Sequence, residues 1–197
     1  MAVVAAPCSS APSDEVLLER FAAGERLALE ELFGRYRQPA YRAAFRLLGN
    51  EPDALDAVQE GFIKALTHLS GFQGRSSFKT WLLRVVSNAA LDLGRQRGRR
   101  ETLSLNAPGA DETGDARLLT PDEAASGLER ADLRILLDEA LATLSEAQRQ
   151  TFVLHADAGL SYREVADATG VSIGTVMSRL FYARQKLRAH LSQRTTL

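Results

Sequence analysis

The chain has 197 residues, with 24 Lys and Arg against 25 Asp and Glu and a formal net charge of -1. That length allows one or two domains, and a lone cysteine, Cys8, excludes an internal disulfide and fits a reducing compartment. No apolar run approaches the roughly 20 residues that cross a bilayer, so membrane insertion is not expected.

The even charge balance hides a partition. Residues 1–100 hold 14 basic against 11 acidic side chains, 101–132 hold 2 against 8, and 133–197 hold 8 against 6. The start, Met1 to Pro12, is small and apolar without the basic flank of a secretory signal, and reads as a disordered tail of a cytoplasmic protein. Ser13 or Asp14 then caps a helix carrying Val16, Leu17, Leu18 and Phe21, which Gly24 ends. A second helix runs from about Arg26 through Leu29, Leu32, Phe33 and Tyr36. Pro39 breaks that pattern near the start of a third, with Tyr41, Ala44, Phe45 and Leu48, which stops at Gly49-Asn50. Pro52 suits the first turn of another helix, with Ala54, Ala57, Val58, Phe62, Ala65 and Leu66 on one face. A loop, Ser70 to Gly74, precedes a helix from Ser77 to about Arg95. Between 75 and 100 stand Arg75, Lys79, Arg84, Arg95, Arg97, Arg99 and Arg100 against Asp92 alone. This basic focus suits single-stranded nucleic acid.

From Gly98 to about Ser126, Gly, Pro and carboxylates displace helical periodicity, the composition of a flexible connector. Helicity resumes with Leu133, Leu136, Leu137, Ala140, Leu141 and Leu144. Ser145 with Gln148 forms a capping-box pattern leading into Phe152 and Val153. No stretch alternates with period two long enough to suggest a strand. The expected fold is all-α: two small helical domains over 13–100 and 131–197, joined by a flexible acidic linker over 101–130, after a tail over 1–12.

The most specific pattern is the last. Ser161 with Glu164 is a second capping box, Tyr162, Val165, Ala166 and Thr169 share one helix face, and Gly170 suits the left-handed turn that ends it. Ser172 can cap a second helix with Ile173, Val176, Leu180, Ala183 and Leu187 inward. Gly174, Thr175, Ser178, Arg179 and Tyr182 then point outward. Two helices joined by a short glycine turn, the second polar outside, fit the major groove of DNA. From Arg179 to Leu197 the charges are Arg179, Arg184, Lys186, Arg188 and Arg194, with no carboxylate, an electrostatic match for phosphates.

Three stretches share a resemblance. Asp53-Ala54-Leu55-Asp56-Ala57-Val58-Gln59-Glu60-Gly61-Phe62 resembles the polymerase-binding helix of bacterial RNA polymerase sigma factors. Phe78-Lys79-Thr80-Trp81-Leu82-Leu83-Arg84-Val85-Val86-Ser87-Asn88, continued by Asp92 to Arg97, is similar to their promoter-melting segment. Gly174-Thr175-Val176-Met177-Ser178-Arg179-Leu180 resembles their recognition helix. The order, the tether and the short length point to the two-domain extracytoplasmic-function (ECF) class.

The resemblance implies three surfaces. Asp53, Asp56, Gln59 and Glu60 would meet a coiled coil of the largest polymerase subunit. Phe72, Gln73 and Gly74 would capture a base flipped from the minus-ten element, with Arg84, Asn88, Arg95 and Arg97 along that DNA. Ser172, Gly174, Thr175, Ser178, Arg179, Tyr182 and Arg184 would read the minus-thirty-five duplex. Core RNA polymerase, promoter DNA and an anti-sigma factor are the implied partners, with no cofactor, metal or small-molecule substrate. The carboxylates Asp111, Glu112, Asp115, Asp122 and Glu123 fit either a solvated tether or a linker along the RNA exit path. Trp81, spaced with Phe78, Leu82 and Val85, reads as core rather than as a stacking platform. Phe72 is the better exposed aromatic, or a plug for its loop.

Departures from the family pattern stand out. Ala57 and Gly61 occupy positions that more often carry larger apolar residues, and Gly61 costs about 1 kcal/mol of helix propensity against Ala. Met177 and Tyr182 stand where basic residues are common. The alternative is a stand-alone helix-turn-helix DNA-binding transcriptional regulator, which leaves the basic focus at 75–100 without a role. An enzyme is not expected: His68, His155 and His190 lack metal-ligand spacing, and no phosphate-cradling or nucleophile motif occurs.

Overall fold

A computed structural model describes residues 11–105 and 127–194. Among them are eight α-helices and no strand: α1 (Asp14–Ala22), α2 (Arg26–Leu48), α3 (Glu51–His68), α4 (Phe78–Leu105), α5 (Gly127–Ala142), α6 (Glu146–Ala156), α7 (Tyr162–Thr169) and α8 (Ile173–Arg194), with a 3-10 turn at Leu69–Gly71. Most of the expected tail and linker, with Cys8 and the five linker carboxylates, lies outside the described residues.

The chain divides into two compact units, up to Gln38 and from Pro39 onward. In the first, the Ser13 side chain accepts from the N–H of Val16, and Leu17, Ala28, Leu32 and Phe33 are buried. Asp14 accepts from the Tyr36 hydroxyl and, at 3.3 Å, from Arg35. Burial, ahead of the Asp14 carboxylate, pushes the Tyr36 phenol well above its ordinary range.

The expected break at Pro39 does not occur, and α2 is one helix of 23 residues. Proline removes one N–H, yet the buried positions Leu32, Phe33, Ala40, Ala43, Ala44 and Leu47 keep helical spacing across it, and burial outweighs a single lost bond.

In the second unit α3 and α4 pack together. Asn50 caps α3, accepting from the Asp53 N–H at 2.9 Å, with Pro52 in the first turn. The inner face of α3 is small: Ala54, Ala57, Gly61 and Ala65, with Val58. Opposite lie Leu82, Leu83, Val86, Ala89 and Ala90 of α4. A Cβ on Gly61 would stand 2.8 Å from Val86 Cγ2 and 2.9 Å from Val86 Cα. The departure at Gly61 is thus what lets the helices cross this closely. Ser77 begins α4 by accepting from the Thr80 N–H at 3.1 Å. The helix does not stop near Arg95 but continues through Gly98 to Leu105. The arginines and glutamine around that glycine are good helix formers and offset its cost.

Both expected capping boxes are present, at Ser145/Gln148 and Ser161/Glu164. Gly170 ends α7 at φ 68°, the left-handed conformation that glycine adopts without strain. Ala140, Leu141, Leu144, Ala183 and Leu187 form a core between α5 and α8, with Leu137, Phe152 and Leu191 against it. Within this unit α6 and α7 also pack on α4. Arg46 bonds Asp138 at 2.6 Å with both side chains largely buried, Arg149 donates to the Leu47 carbonyl at 3.2 Å, and the Gln150 amide donates to Asn88 at 3.2 Å.

Candidate nucleic-acid interface

The outer face of α3 exposes Asp56, Gln59 and Glu60, as expected. Glu60 pairs with Lys64 one turn on, at 2.7 Å. Asp53 differs. It is half-buried, accepts from the Asn50 side chain at 2.9 Å and from Arg97 at 2.7 Å, and thereby ties the start of α3 to α4. Burial pushes its carboxyl up, but the hydrogen bonds from Asn50 and Arg97 outweigh this and hold it below the usual range. Missed from sequence are Leu55, Ile63 and Leu66, 47 to 55% exposed on the same helix, which make the acidic face amphipathic. Their spacing of eight and three residues was readable. Leu66 belongs to the apolar helical spacing read from the sequence, but apolarity alone does not say which side of a helix is covered.

Phe72 does not project as a lone aromatic. Its ring centre lies 5.9 Å from Phe78 and 5.2 Å from Trp81, and Phe78 is buried, so the three rings close the loop onto α4. Gln73 and Gly74 are exposed, Gly74 at φ 67°. Trp81 is half-buried, as the core reading required in part. It lines a cleft of about 250 Å³ between α4 and α7, together with Arg75, Thr80, Arg84 and Asp167.

On α4, Arg84, Asn88 and Arg95 are exposed along one side, yet each is engaged by the C-terminal helices. Arg84 donates to the Asp167 carbonyl at 3.4 Å, Asn88 accepts from Gln150, and Arg95 Nε donates to Glu146 at 3.1 Å. Thr80 donates to Glu164 at 2.9 Å. Glu164 also accepts from the Ser161 N–H at 2.9 Å and the Ser161 hydroxyl at 2.7 Å. These bonds, the backbone N–H foremost, hold its carboxyl below the usual glutamate range against burial. Sequence reasoning missed both glutamates as partners of α4: Glu164 read only as the capping-box residue of Ser161, and Glu146 carries no local signal.

The helix-turn-helix is present, with one correction: Ile173, expected on the inward stripe, is 45% exposed because it opens α8, beyond the packed part of the stripe. In α8, Val176, Leu180, Ala183 and Leu187 are buried, while Gly174, Ser178, Tyr182 and Arg184 are exposed and Thr175 and Arg179 half-buried. Ser172 caps the helix, accepting from the Thr175 N–H at 3.1 Å. Among the described residues no His, Cys, Asp or Glu cluster could hold a metal ion, and no helix is long and apolar enough to cross a membrane.

Two family models match the chain, Sigma-70 region 2 over residues 32–100 and Sigma-70, region 4 over residues 134–187. The RNA polymerase sigma-H factor of Pseudomonas aeruginosa is 34% identical over 182 residues, 88% of this chain and 91% of that protein. The ECF RNA polymerase sigma factor SigE of Mycolicibacterium smegmatis is 34% identical over 179 residues, 89% of this chain and 67% of that protein. Among solved structures, the sigma factor RpoE of Bartonella quintana, in complex with the anti-sigma factor NepR, superposes with a TM-score of 0.64 at 26% identity. That match covers 83% of this chain and 98% of that one.

Proposed function

Because the chain belongs to the extracytoplasmic-function class of RNA polymerase sigma factors, the transcription initiation factors that direct core polymerase to promoters, we propose how its parts divide that work. The chain does no chemistry of its own; the polymerase carries the active site. The body over 13–100 docks on core polymerase through Asp56, Gln59 and Glu60 with Leu55, Ile63 and Leu66, while Asp53 positions α3. The side of α4 with Arg84, Asn88 and Arg95, next to the Phe72–Gly74 loop, follows the opened minus-ten strand; Arg97 holds Asp53. The segment over 101–130 sets the reach to the body over 131–197, whose α8 reads the minus-thirty-five element as duplex. The protein acts in the cytoplasm, where an anti-sigma factor, as in the Bartonella quintana complex, would hold it inactive.

The observation that carries this reading is the pair α7 and α8, capped at Ser161 and Ser172 and turned at Gly170, with a buried apolar stripe and an open outer face. A regulator acting alone would leave α3's amphipathic face and the α4 cations without a purpose. Since α6 and α7 occupy the cations that the minus-ten strand would need, the two bodies must part when polymerase and promoter are engaged. Transcription by core polymerase on fragmented genomic DNA, with and without the purified protein, tests the reading. New discrete transcripts that require the protein support it. Loss of both transcription and core binding would leave the stand-alone regulator.

A further inference from the structure

The outer surface of α8 is less cationic than a phosphate-binding helix needs. Over its first three turns it carries one guanidinium, Arg179, which is half-buried; Arg184, Lys186 and Arg188 lie farther along. The exposed surface there is instead apolar and aromatic: Ile173 is 45% exposed, Met177 54%, Phe181 63% and Tyr182 54%. The Phe181 and Tyr182 rings meet edge to face at 5.4 Å, which fixes Phe181 in place. At about 100° per residue, Gly174, Met177, Ser178 and Phe181 share one outward sector, opposite the buried Val176, Leu180, Ala183 and Leu187.

The small hydroxyls of this sector are turned back on the helix. Ser172 and Thr175 share a hydrogen bond at 2.9 Å, and Ser178 donates to the Thr175 carbonyl at 2.9 Å. Gly174 adds a second peculiarity. A Cβ there would meet nothing nearer than Ser172 Oγ at 3.8 Å, so neither packing nor φ demands glycine, although glycine costs a helix about 1 kcal/mol. Its effect is a low spot beside Met177, open to close approach. In a helix-turn-helix the first turns of the second helix face base edges, and the one apolar group that the major groove offers is the thymine C5-methyl.

We propose that Met177 and Phe181 read thymine methyl groups of the minus-thirty-five element, so that this chain chooses promoters partly by apolar contact where a basic side chain would have bound phosphate. The inference rests on α8 being the duplex reader. It gives a role to Met177, which stands where the family pattern has a cation, and it makes upstream recognition less salt-dependent than a cationic helix would.

The test uses holoenzyme formed from the full chain and core polymerase, on promoter fragments recovered from the transcription experiment. Each thymidine of the minus-thirty-five element is replaced in turn by deoxyuridine, which removes the methyl and leaves every hydrogen-bonding group. Binding should weaken about fourfold at one or two positions, the factor that burial of one methyl contributes. The Met177→Ala or Phe181→Ala variant should bind the thymine duplex as weakly as the wild type binds the uracil one, and show no further uracil penalty. Met177→Lys should recover affinity with a steeper salt dependence. Circular dichroism of each variant checks that α8 is intact. Indifference to uracil at every position, or an unchanged penalty in both alanine variants, overturns the inference and assigns the apolar sector to a protein partner. Failure of holoenzyme to protect any upstream duplex would instead remove α8 as the reader, and the inference with it.

Discussion

At the residue scale, Gly61 shows how a local cost becomes a packing requirement. Replacement by alanine gains about 1 kcal/mol of helix propensity but drives a Cβ to 2.9 Å from the Val86 backbone. Backbone cannot step aside as a flexible side chain does, and overpacking of this kind costs about 1–3 kcal/mol. Gly61→Ala should therefore lower the melting temperature, and an unchanged or raised value would show that α3 and α4 can separate freely. Glu164 makes a pH prediction. Its folded pKa is depressed by Ser161 and Thr80, so its contribution is present above the ordinary glutamate range and lost as pH falls through the folded value. A plot of stability against pH should thus fall more steeply on the acid side for the wild type than for Glu164→Gln; parallel curves would remove Glu164 from the balance. The sequence located Glu164 as a cap, and local hydrogen bonding explains why that was legible. Its bond to Thr80, 84 residues away, could not be read, since no local pattern encodes it.

At the element scale, helix starts were more legible than helix ends. Serine caps at Ser13, Ser145 and Ser161 are short-range chemistry and appear where the sequence placed them, whereas Asn50, read only as the stop of the preceding helix, also caps α3. Pro39 and Gly98 were read as interruptions and are not, because each removes or weakens one local interaction in a helix held by many. For α8 the prediction concerns charge. Arg184 is exposed at the edge of the outward sector, and Arg179 is half-buried on its flank. If each neutralises a phosphate, Arg179→Ala and Arg184→Ala should each weaken upstream duplex binding and reduce the salt slope by about 0.9. An unchanged slope in either variant takes that arginine off the DNA.

At the scale of the whole molecule, the packing of α6 and α7 on α4 joins the helices on either side of the 106–126 segment within one unit. The links differ in strength. Arg95–Glu146 is an exposed pair screened by water and salt, whereas Arg46–Asp138 is largely buried, and removing Asp138 leaves Arg46 with the longer, 3.7 Å contact to Asp157. Asp138→Ala should accordingly open the second unit and raise the affinity of the full chain for a single-stranded oligonucleotide several-fold, measured by fluorescence anisotropy. Equal affinity would mean that the contact does not restrain α4. For the docking face proposed on α3, Asp56→Arg should abolish binding to core polymerase in a pull-down while leaving thermal stability intact, because Asp56 is exposed. Retained binding would move the docking face elsewhere.

The amino-acid sequence by itself determined the helical class, the caps, the glycine turn and the inward stripe of the helix-turn-helix. These follow from interactions within a few residues and from a 3.6-residue period that any reader of the chain can count. Only the tertiary structure decided that α3 lies so close to α4 that Gly61 is required, that Phe72 folds back onto Phe78 and Trp81, and that Glu146 and Glu164 sit against the basic side of α4. The contacts of Glu146 and Glu164 join residues 51 and 84 positions apart, and the energies of all of these depend on how whole surfaces fit, which residue spacing along the chain does not record.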